Sequence, residues 1–434
     1  MHTLSNGVRI VCDPMPGVRT FALTVAVRGG ARWEPPTRSG WSHLLEHLVF
    51  KGAGDMGGRE IVERIEADGG SINAATGYER TSFEVRAVRG SLPLAMQVVS
   101  DLVFRPTLDP AEIEREKDVV GQEIAEAYDT PDDHVFEMAQ TRAFASQALG
   151  RPILGSVKSL APADRASMSE WRAILYSPDR MVVSVAGAVD ETELLALAER
   201  WFGDAVATPA QAPEPGRFTG GSASLGRRIE QANLVFQLPA PSATDPNYAA
   251  SRLMAEILGG GMASRLFQSA REDRGLAYAI DAYHEAYDDV GVLGIYAGAA
   301  ADRAVELAQV CAAELRSLAE DGPTMTELSR ARAVLTAGLW MSDESSAGRA
   351  GRSAAQTLIF GAPITSEVSA ERLADCSPQA VRVVAEASVT AGAAATAVLG
   401  PRAAHPAGVA FSQALFCSQA DIDSRAHTGR AAGV

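Results

Sequence analysis

The sequence predicts an α+β protein with two homologous domains of the same fold, each a mostly antiparallel sheet with helices packed on one face. Three observations lead to this prediction. At 434 residues, the chain is too long for a single hydrophobic core. A stretch rich in Pro, Ala, Gly and Ser divides it almost in half. The two halves then show a similar succession of strand-like and helix-like segments.

The dividing stretch sets the predicted domain boundaries. We expect an N-terminal domain over residues 1–205, a linker over 206–226 and a C-terminal domain over 227–434. The linker lacks hydrophobic periodicity and contains Pro209, Pro213 and Pro215. The last ~30 residues, which are rich in Ala and Ser, are expected to form a surface tail.

The elements of the first half follow from the period of its apolar residues. Strands are expected at 21–28, as a pair within 71–88, and at 181–188. Helices are expected around the apolar run 41–50 and at 59–67, 91–103, 110–128 and 191–202.

The second half repeats much of this order. Strands are expected at 233–238, as a group within 276–297, and at 394–399. Helices are expected at 247–258, 263–272, 302–318 and 324–341.

The run His43-Leu44-Leu45-Glu46-His47 indicates a metal site. Two imidazoles four residues apart lie one turn apart on the same helix face, close enough to share one ion. The surrounding residues are apolar nearly all round the helix, so the helix should be buried, and burying these polar groups without a partner is costly. The order H-x-x-E-H is the inverzincin motif of zinc peptidases. The corresponding helix of the second half contains no histidine, so we expect one metal site per chain.

A third ligand must come from elsewhere, because catalytic zinc usually takes three protein ligands and leaves one position for water. The best candidate helix is 109–128, where Glu116 and Glu123 are seven residues apart and share one face beside the apolar stripe. On this reasoning either glutamate can complete the site.

These motifs resemble the M16 metallopeptidase family, which includes pitrilysin, insulin-degrading enzyme and the mitochondrial processing peptidase. The runs at 42–52 and 116–124 both look like the family's pattern, and the resemblance spans roughly residues 3 to 400. A chain of two such halves resembles the M16B branch, in which two chains assemble into a closed chamber.

The resemblance implies that zinc is held by His43, His47 and Glu123, and that Glu46 is the general base. It implies that Glu116 supports activity without being a principal ligand.

Two further elements carry implied substrate roles. Asn73 and Ala74 begin a strand whose edge is expected to pair with the peptide backbone by strand addition. Arg271 and Tyr278 resemble the family's R-x6-Y element, which reaches the active site of the facing half, holds the substrate backbone and stabilises the oxyanion.

The predicted function is therefore that of a zinc-dependent endopeptidase that cuts unfolded or short peptides inside a dimer chamber. Two alternatives stay open: a subunit of a heterodimeric peptidase that needs an inactive paralogue, and a non-catalytic chamber subunit. A homodimer is favoured because one chain carries both the zinc motif and the Arg271/Tyr278 element.

Composition excludes other classes. A net charge of −15 argues against binding to nucleic acid or an anionic membrane. The four cysteines are scattered with no CxxC pair, which is typical of buried thiols in a reducing compartment. The first residues lack the basic and apolar segments of a signal peptide, so we expect a cytoplasmic location.

Overall fold

The computed structural model describes residues 1–417 and contains two compact units. Unit 1 comprises Met1–Glu126, Arg151–Glu214 and Ala337–Ser369. Unit 2 comprises Ala127–Gly150, Pro215–Thr336 and the described residues from Ala370 onward. Each unit therefore takes most of its residues from one half of the chain and a shorter segment from the other. The predicted boundaries at 205 and 227 stay a prediction.

Thirteen strands lie in the described residues. In chain order they are β1 His2–Thr3, β2 Arg9–Pro14, β3 Thr20–Val27, β4 Gly52–Ala53, β5 Met56–Gly57, β6 Ser71–Thr76, β7 Thr81–Val88, β8 Met181–Gly187, β9 Gly221–Gly226, β10 Gln231–Ala240, β11 Ala279–Ala286, β12 Gly291–Ala300 and β13 Ala395–Gly400.

Fifteen α-helices lie in the same range: α1 Trp41–Val49, α2 Gly58–Ala67, α3 Leu92–Phe104, α4 Pro110–Asp129, α5 Pro131–Ala143, α6 Val157–Leu160, α7 Arg165–Leu175, α8 Glu191–Phe202, α9 Tyr248–Gly259, α10 Ala304–Asp321, α11 Met325–Asp343, α12 Ser346–Phe360, α13 Ser366–Asp375, α14 Pro378–Thr390 and α15 Ala407–Phe416. A π-helical segment spans Phe267–Glu272. None of these helices is long and apolar enough to span a bilayer.

The two units repeat one sheet topology. The strand order is β1-β2-β8-β3-β7-β6 in unit 1 and β9-β13-β10-β12-β11 in unit 2, so five strands correspond one to one. Each sheet has one parallel pair, β2 with β8 and β9 with β13, and all its other neighbours are antiparallel. This repetition confirms two α+β domains of the same fold, each with a mostly antiparallel sheet; the prediction that helices cover only one face is wrong for unit 1, where α12 packs on the second face of the sheet.

Strand β3 shows why unit 1 has helices on both faces of its sheet. Its larger apolar side chains, such as Leu23 and Val25, pack into the main core with α1 and α3. The alternate positions Ala22 and Ala26 pack against α12, which comes from the second half of the chain. Small side chains on that face let the helix approach the sheet closely. The sequence did not predict this covering helix.

In unit 2, a helix from the first half of the chain likewise covers a face of the sheet. Helix α5, from the first half of the chain, packs Val135 and Ala139 against Val235, Ala397 and Leu399 of the sheet. It lies in a segment for which the sequence predicted no element.

Two segments differ from the sequence predictions. Strand β9 forms inside the predicted linker and pairs in parallel with β13. The prediction of a surface tail is wrong for residues 407–416, which form α15. Phe411 of this helix is buried and stacks on Phe236, with ring centroids 4.2 Å apart. Residues 418–434 of that tail lie outside the described residues.

Candidate metal centre

Helix α1 begins at a position that only glycine fits. Gly40 has a φ of 88°, in the left-handed region, and a Cβ there would lie 2.4 Å from the carbonyl oxygen of Leu154. No side chain of the helix caps its first turn. Instead, the carboxylate of Glu34 accepts hydrogen bonds from the backbone N–H groups of Gly40 at 2.8 Å and Ser42 at 2.7 Å. Glu34 therefore satisfies amide donors at the helix N-terminus from outside the helix.

The apolar residues of α1 fix its rotation. Leu44, Leu45, Leu48 and Val49 are fully buried or nearly so in the core of unit 1. The remaining face carries His43, Glu46 and His47, whose side chains are only partly buried. The packing of one face thus aims the imidazoles of the motif away from the core.

Helix α4 supplies the facing side chains. The carboxylate of Asp109 accepts hydrogen bonds from the N–H groups of Ala111 and Glu112 at its start. Ile113 and Val120 are buried in the core and anchor the helix beside α1.

Three side chains from these helices converge. The Nε2 atoms of His43 and His47 lie 3.8 and 3.6 Å from one carboxylate oxygen of Glu123. In the part of the chain that the structure describes, these residues form the one group of three His, Cys, Asp or Glu whose ligand atoms all lie within 4.8 Å of one another.

This donor set fits zinc. Two ligand atoms bound to tetrahedral zinc at about 2.0–2.1 Å lie about 3.3 Å apart, close to the observed separations. Burial, and secondarily the neighbouring His47, lower the pKa of His43 to about 4, so its imidazole is neutral near pH 7. A neutral imidazole has a lone pair free to bind a metal.

Glu116 contacts the opposite edge of His47. Its carboxylate lies 3.0 Å from Nδ1 of that ring and 2.8 Å from Nζ of Lys51, and its side chain is only 3% exposed. A carboxylate only accepts hydrogen bonds, so Nδ1 donates to Glu116. Glu116 thus lies next to Nδ1 of His47, and Glu123 faces Nε2 of the same ring.

Glu46 lies beside the converging donors and outside the group. One of its carboxylate oxygens is buried without a hydrogen-bond partner. Burial raises the pKa of Glu46, and hydrogen bonds from Thr76 act in the opposite direction.

The two predicted backbone-holding residues lie on an edge strand. Strand β6 pairs only with β7, through the register Asn73 to Glu84 and Ala74 to Phe83, so its other edge has no strand neighbour among the described residues. Asn73 is exposed and Ala74 is buried, as alternate positions on a strand require. The strand also packs against α1.

The two remaining predicted residues belong to unit 2. Arg271 lies in the π-helical segment, with its guanidinium 4.6 Å from the ring centroid of Phe267. Tyr278 is 66% exposed, while its backbone N–H donates to the carbonyl of Gly298. The backbone of Tyr278 is therefore tied to the sheet and its ring faces solvent.

Three further residues lie around this centre and are not predicted from the sequence: Glu34, Lys51 and Thr76. Lys51 follows His47 by four residues, a spacing that could have placed both on one face. Glu34 and Thr76 had no comparable signal, because their contacts with α1 depend on how a loop and a strand fold back.

The pH dependence of stability tests the burial of Glu34. Burial raises the pKa of Glu34 to about 7 from 4.5, while Arg151 and the two amide hydrogen bonds act in the opposite direction. The folded state therefore holds more protons between these values, and its free energy of unfolding falls as pH rises, by about 3 kcal/mol from this group. Glu34→Gln cannot ionise and lacks this contribution.

We therefore expect the stability advantage of the native chain over Glu34→Gln to be larger at pH 5 than at pH 8. Denaturant unfolding of both metal-free proteins at each pH measures it. Glu170→Gln, at a side chain 59% exposed and paired with Arg38, is the control and should show little pH effect. An advantage that is constant, or larger at pH 8, contradicts the assignment.

Comparison with known proteins identifies the family. A profile described as "Insulinase (Peptidase family M16)" matches residues 9–157, and one described as "Peptidase M16 inactive domain" matches residues 162–335. A Bacillus subtilis protein named "Uncharacterized zinc protease YmxG" is 35% identical over 364 residues, which cover 83% of this chain and 88% of that protein. The chain belongs to the M16 peptidase family.

Other M16 relatives carry similar names. "Uncharacterized zinc protease" of Rickettsia bellii is 33% identical over 400 residues, covering 92% of this chain and 96% of its own length. "Uncharacterized zinc protease SCO5738" of Streptomyces coelicolor is 33% identical over 408 residues, with coverages of 92% and 89%. His43, His47 and Glu123 all lie in the region matched by the first M16 profile.

Solved structures share the M16 fold of this chain. A protease from Helicobacter pylori has a TM-score of 0.85 at 19% identity, covering 92% of this chain and 98% of its own. A chain of complex III2 from Candida albicans has a TM-score of 0.80 at 16% identity, with coverages of 92% and 95%. At these identities the likeness shows the fold alone, so function must be argued from the site.

Proposed function

We propose that the chain is a zinc-dependent endopeptidase with one zinc per chain, held by His43, His47 and Glu123. The observation that supports this most is the convergence of two imidazole nitrogens and one carboxylate oxygen beside Glu46. Zinc bound there would act as a Lewis acid that activates water near neutral pH and polarises a peptide carbonyl.

Glu46 is proposed as the general base. It lies on the same face of α1 as the two imidazoles, and it has a carboxylate oxygen without a hydrogen-bond partner. It can take a proton from the attacking water and deliver it to the leaving amine. Glu116 is proposed as a positioning residue, because its contact with Nδ1 orients the ring of His47.

The free edge of β6 supports a peptide substrate. A peptide added to this edge would pair its backbone with the strand at Asn73 and Ala74, which requires an extended and unfolded segment. We therefore propose unfolded or short peptides as substrates. Arg271 and Tyr278 are proposed to hold that backbone and stabilise the oxyanion, a role that their exposure permits.

A homodimer that encloses the site is the proposed assembly. A heterodimer with an inactive M16 paralogue and a non-catalytic chamber subunit are the alternatives. Intact ligand, base and Arg271/Tyr278 positions within one chain favour the catalytic homodimer. The four cysteines of the described residues are free, which supports the proposed cytoplasmic location, although only Cys311 is buried as the sequence led us to expect.

Zinc removal tests the activity. The purified chain is expected to hydrolyse an unstructured peptide, to lose this activity when a chelator removes zinc, and to regain it on addition of one equivalent. Metal content and hydrolysis rate are measured on the same samples. Activity that is unchanged in the fully metal-free chain, or a metal-loaded chain alone without activity, would reject the proposal in favour of an alternative.

A mixed dimer tests whether two copies share a site. A Glu46→Gln chain is combined with a Tyr278→Phe chain, and subunits are allowed to exchange. If Tyr278 acts on the zinc site of the other copy, one site in each mixed dimer has both groups intact. Peptide hydrolysis should then rise well above that of either variant alone.

If each copy used its own Tyr278, no site in the mixture would be complete. Formation of the mixed dimer is verified by native mass spectrometry with one chain isotopically labelled. A verified mixed dimer without recovery rejects sharing.

A further inference from the structure

Unit 1 contains a cavity that shares no residue with the His43/His47/Glu123 group. Its volume is about 600 Å³, within the range of small-molecule pockets. The C-terminal ends of α3, α7 and α8 line it, together with part of the segment 204–208. The proposed peptidase activity assigns no role to this cavity.

Three arginines line the cavity, one from each helix end: Arg105, Arg172 and Arg200. Arg105 is paired with Asp101. Asp204 is the one carboxylate among the lining residues. In a protein of net charge −15, this cavity therefore has an excess of positive charge.

Arg172 is the one of the three that is partly buried, and no carboxylate of the described residues pairs with it; Arg105 and Arg200 are exposed. The hydrogen bond from its Nη1 to the carbonyl oxygen of Val103 is 3.5 Å long and therefore weak. Burial lowers the pKa of Arg172, and the nearby group that acts in the opposite direction is the hydroxyl of Tyr176. A desolvated guanidinium without a close carboxylate is costly, and a bound anion would remove that cost.

Aromatic side chains stand beside these charges. Trp201 and Phe104 line the cavity, and the guanidinium of Arg200 lies 5.1 Å from the centroid of the Trp201 ring. Phe104 is held edge-on against Phe202, with centroids 5.8 Å apart. A flat apolar wall next to cations suits a ligand with a planar ring and an anionic group.

Helix dipoles offer a simpler reason for the arginines, because cations stabilise helix C-termini. An arginine can stabilise a helix C-terminus from the protein surface, without lining a cavity or standing beside aromatic rings. The combination of cavity, excess charge and aromatic wall is what indicates a ligand.

We propose that this cavity binds a nucleoside monophosphate. Arg172 and Arg200 offer guanidinium donors to the phosphate, which such groups bind in a bidentate manner. Trp201 offers a stacking surface for the base. Asp204 offers acceptors for the ribose hydroxyls.

Binding of AMP to the purified, zinc-loaded chain tests this proposal, by calorimetry and by quenching of the tryptophan fluorescence to which Trp201 contributes. Saturable binding with one AMP per chain is expected. Adenosine and inorganic phosphate each lack half of the recognised groups and should bind about tenfold or more weakly. Phosphate binding as tight as that of AMP would overturn the nucleotide assignment.

Matched variants locate the site. Arg172→Gln is expected to weaken AMP binding about tenfold or more. Arg165→Gln removes the same charge at the exposed start of the same helix and should leave affinity unchanged. Arg200→Gln, at an exposed position, provides a second test if Arg172→Gln fails to fold.

No detectable AMP binding would overturn the proposal. Equal weakening by Arg165→Gln and Arg172→Gln would also overturn it, because it would indicate a general charge effect. Neither result bears on the zinc site, since AMP binding and peptide hydrolysis are measured separately.

Discussion

Glu46→Gln is expected to lower peptide hydrolysis by about a thousandfold or more while zinc stays bound. Glutamine keeps the shape of the side chain but cannot accept the proton, and a positioned general base contributes about 10²–10⁴-fold to rate. Glu46 lies outside the group of converging ligand atoms, so its replacement should leave the zinc affinity largely unchanged.

The measurement is the turnover number together with the zinc content of the same preparation. Glu63→Gln is a suitable control, because that side chain is exposed on α2 and paired with Arg59. Loss of zinc from Glu46→Gln would make Glu46 a ligand. Normal turnover would remove it from the mechanism.

Glu123→Gln is expected to weaken zinc binding strongly, whereas Glu116→Gln should lower activity and leave most of the zinc in place. The reason is geometric: Glu123 faces Nε2 of both imidazoles, while Glu116 contacts Nδ1 of His47 from behind. Seven helical residues separate the two by about 10 Å along α4, so both cannot occupy one coordination position.

Competition with a chromogenic chelator measures the two zinc affinities, and peptide hydrolysis at saturating zinc measures the two activities. Each substitution removes one charge from the same helix, so the variants control for one another. If Glu123→Gln bound zinc more tightly than Glu116→Gln, Glu116 would be the ligand and Glu123 the positioning residue.

Much of the first unit could be predicted because its patterns are local. Helix α4 is predicted at 110–128 and spans Pro110–Asp129, because Asp109 can cap its start, Pro110 suits its first turn and an apolar stripe runs along it. Strand β3 was located in the same way. Its second buried face was not predicted, because Ala22 and Ala26 are covered by α12, more than 300 residues away in the chain.

Strand β9 illustrates a second limit. Its residues are mostly Gly, Ser and Ala, which have weak strand propensity, and pairing with β13 gives them their conformation. Its register depends on a partner from the far end of the second half, which no local pattern reveals.

In the candidate site too, local features could be predicted from the sequence and contacts between distant elements could not. The shared face of His43, Glu46 and His47 follows from helix geometry, so it could be predicted from spacing alone. Whether Glu116 or Glu123 faces the imidazoles depends on how α4 lies against α1, and the residues alone left that choice open. The carboxylate of Glu34 under the first turn of α1 is likewise a property of the folded chain.

X-ray absorption at the zinc edge, on the chain loaded with one equivalent of zinc, tests the central claim most directly. The account predicts two imidazole nitrogens and only oxygen ligands besides, all at about 2.0–2.2 Å. Replacing His43 or His47 should remove one imidazole from this signal. Sulfur scattering at about 2.3 Å, or an imidazole count unchanged by either replacement, would contradict a zinc centre built from His43, His47 and Glu123.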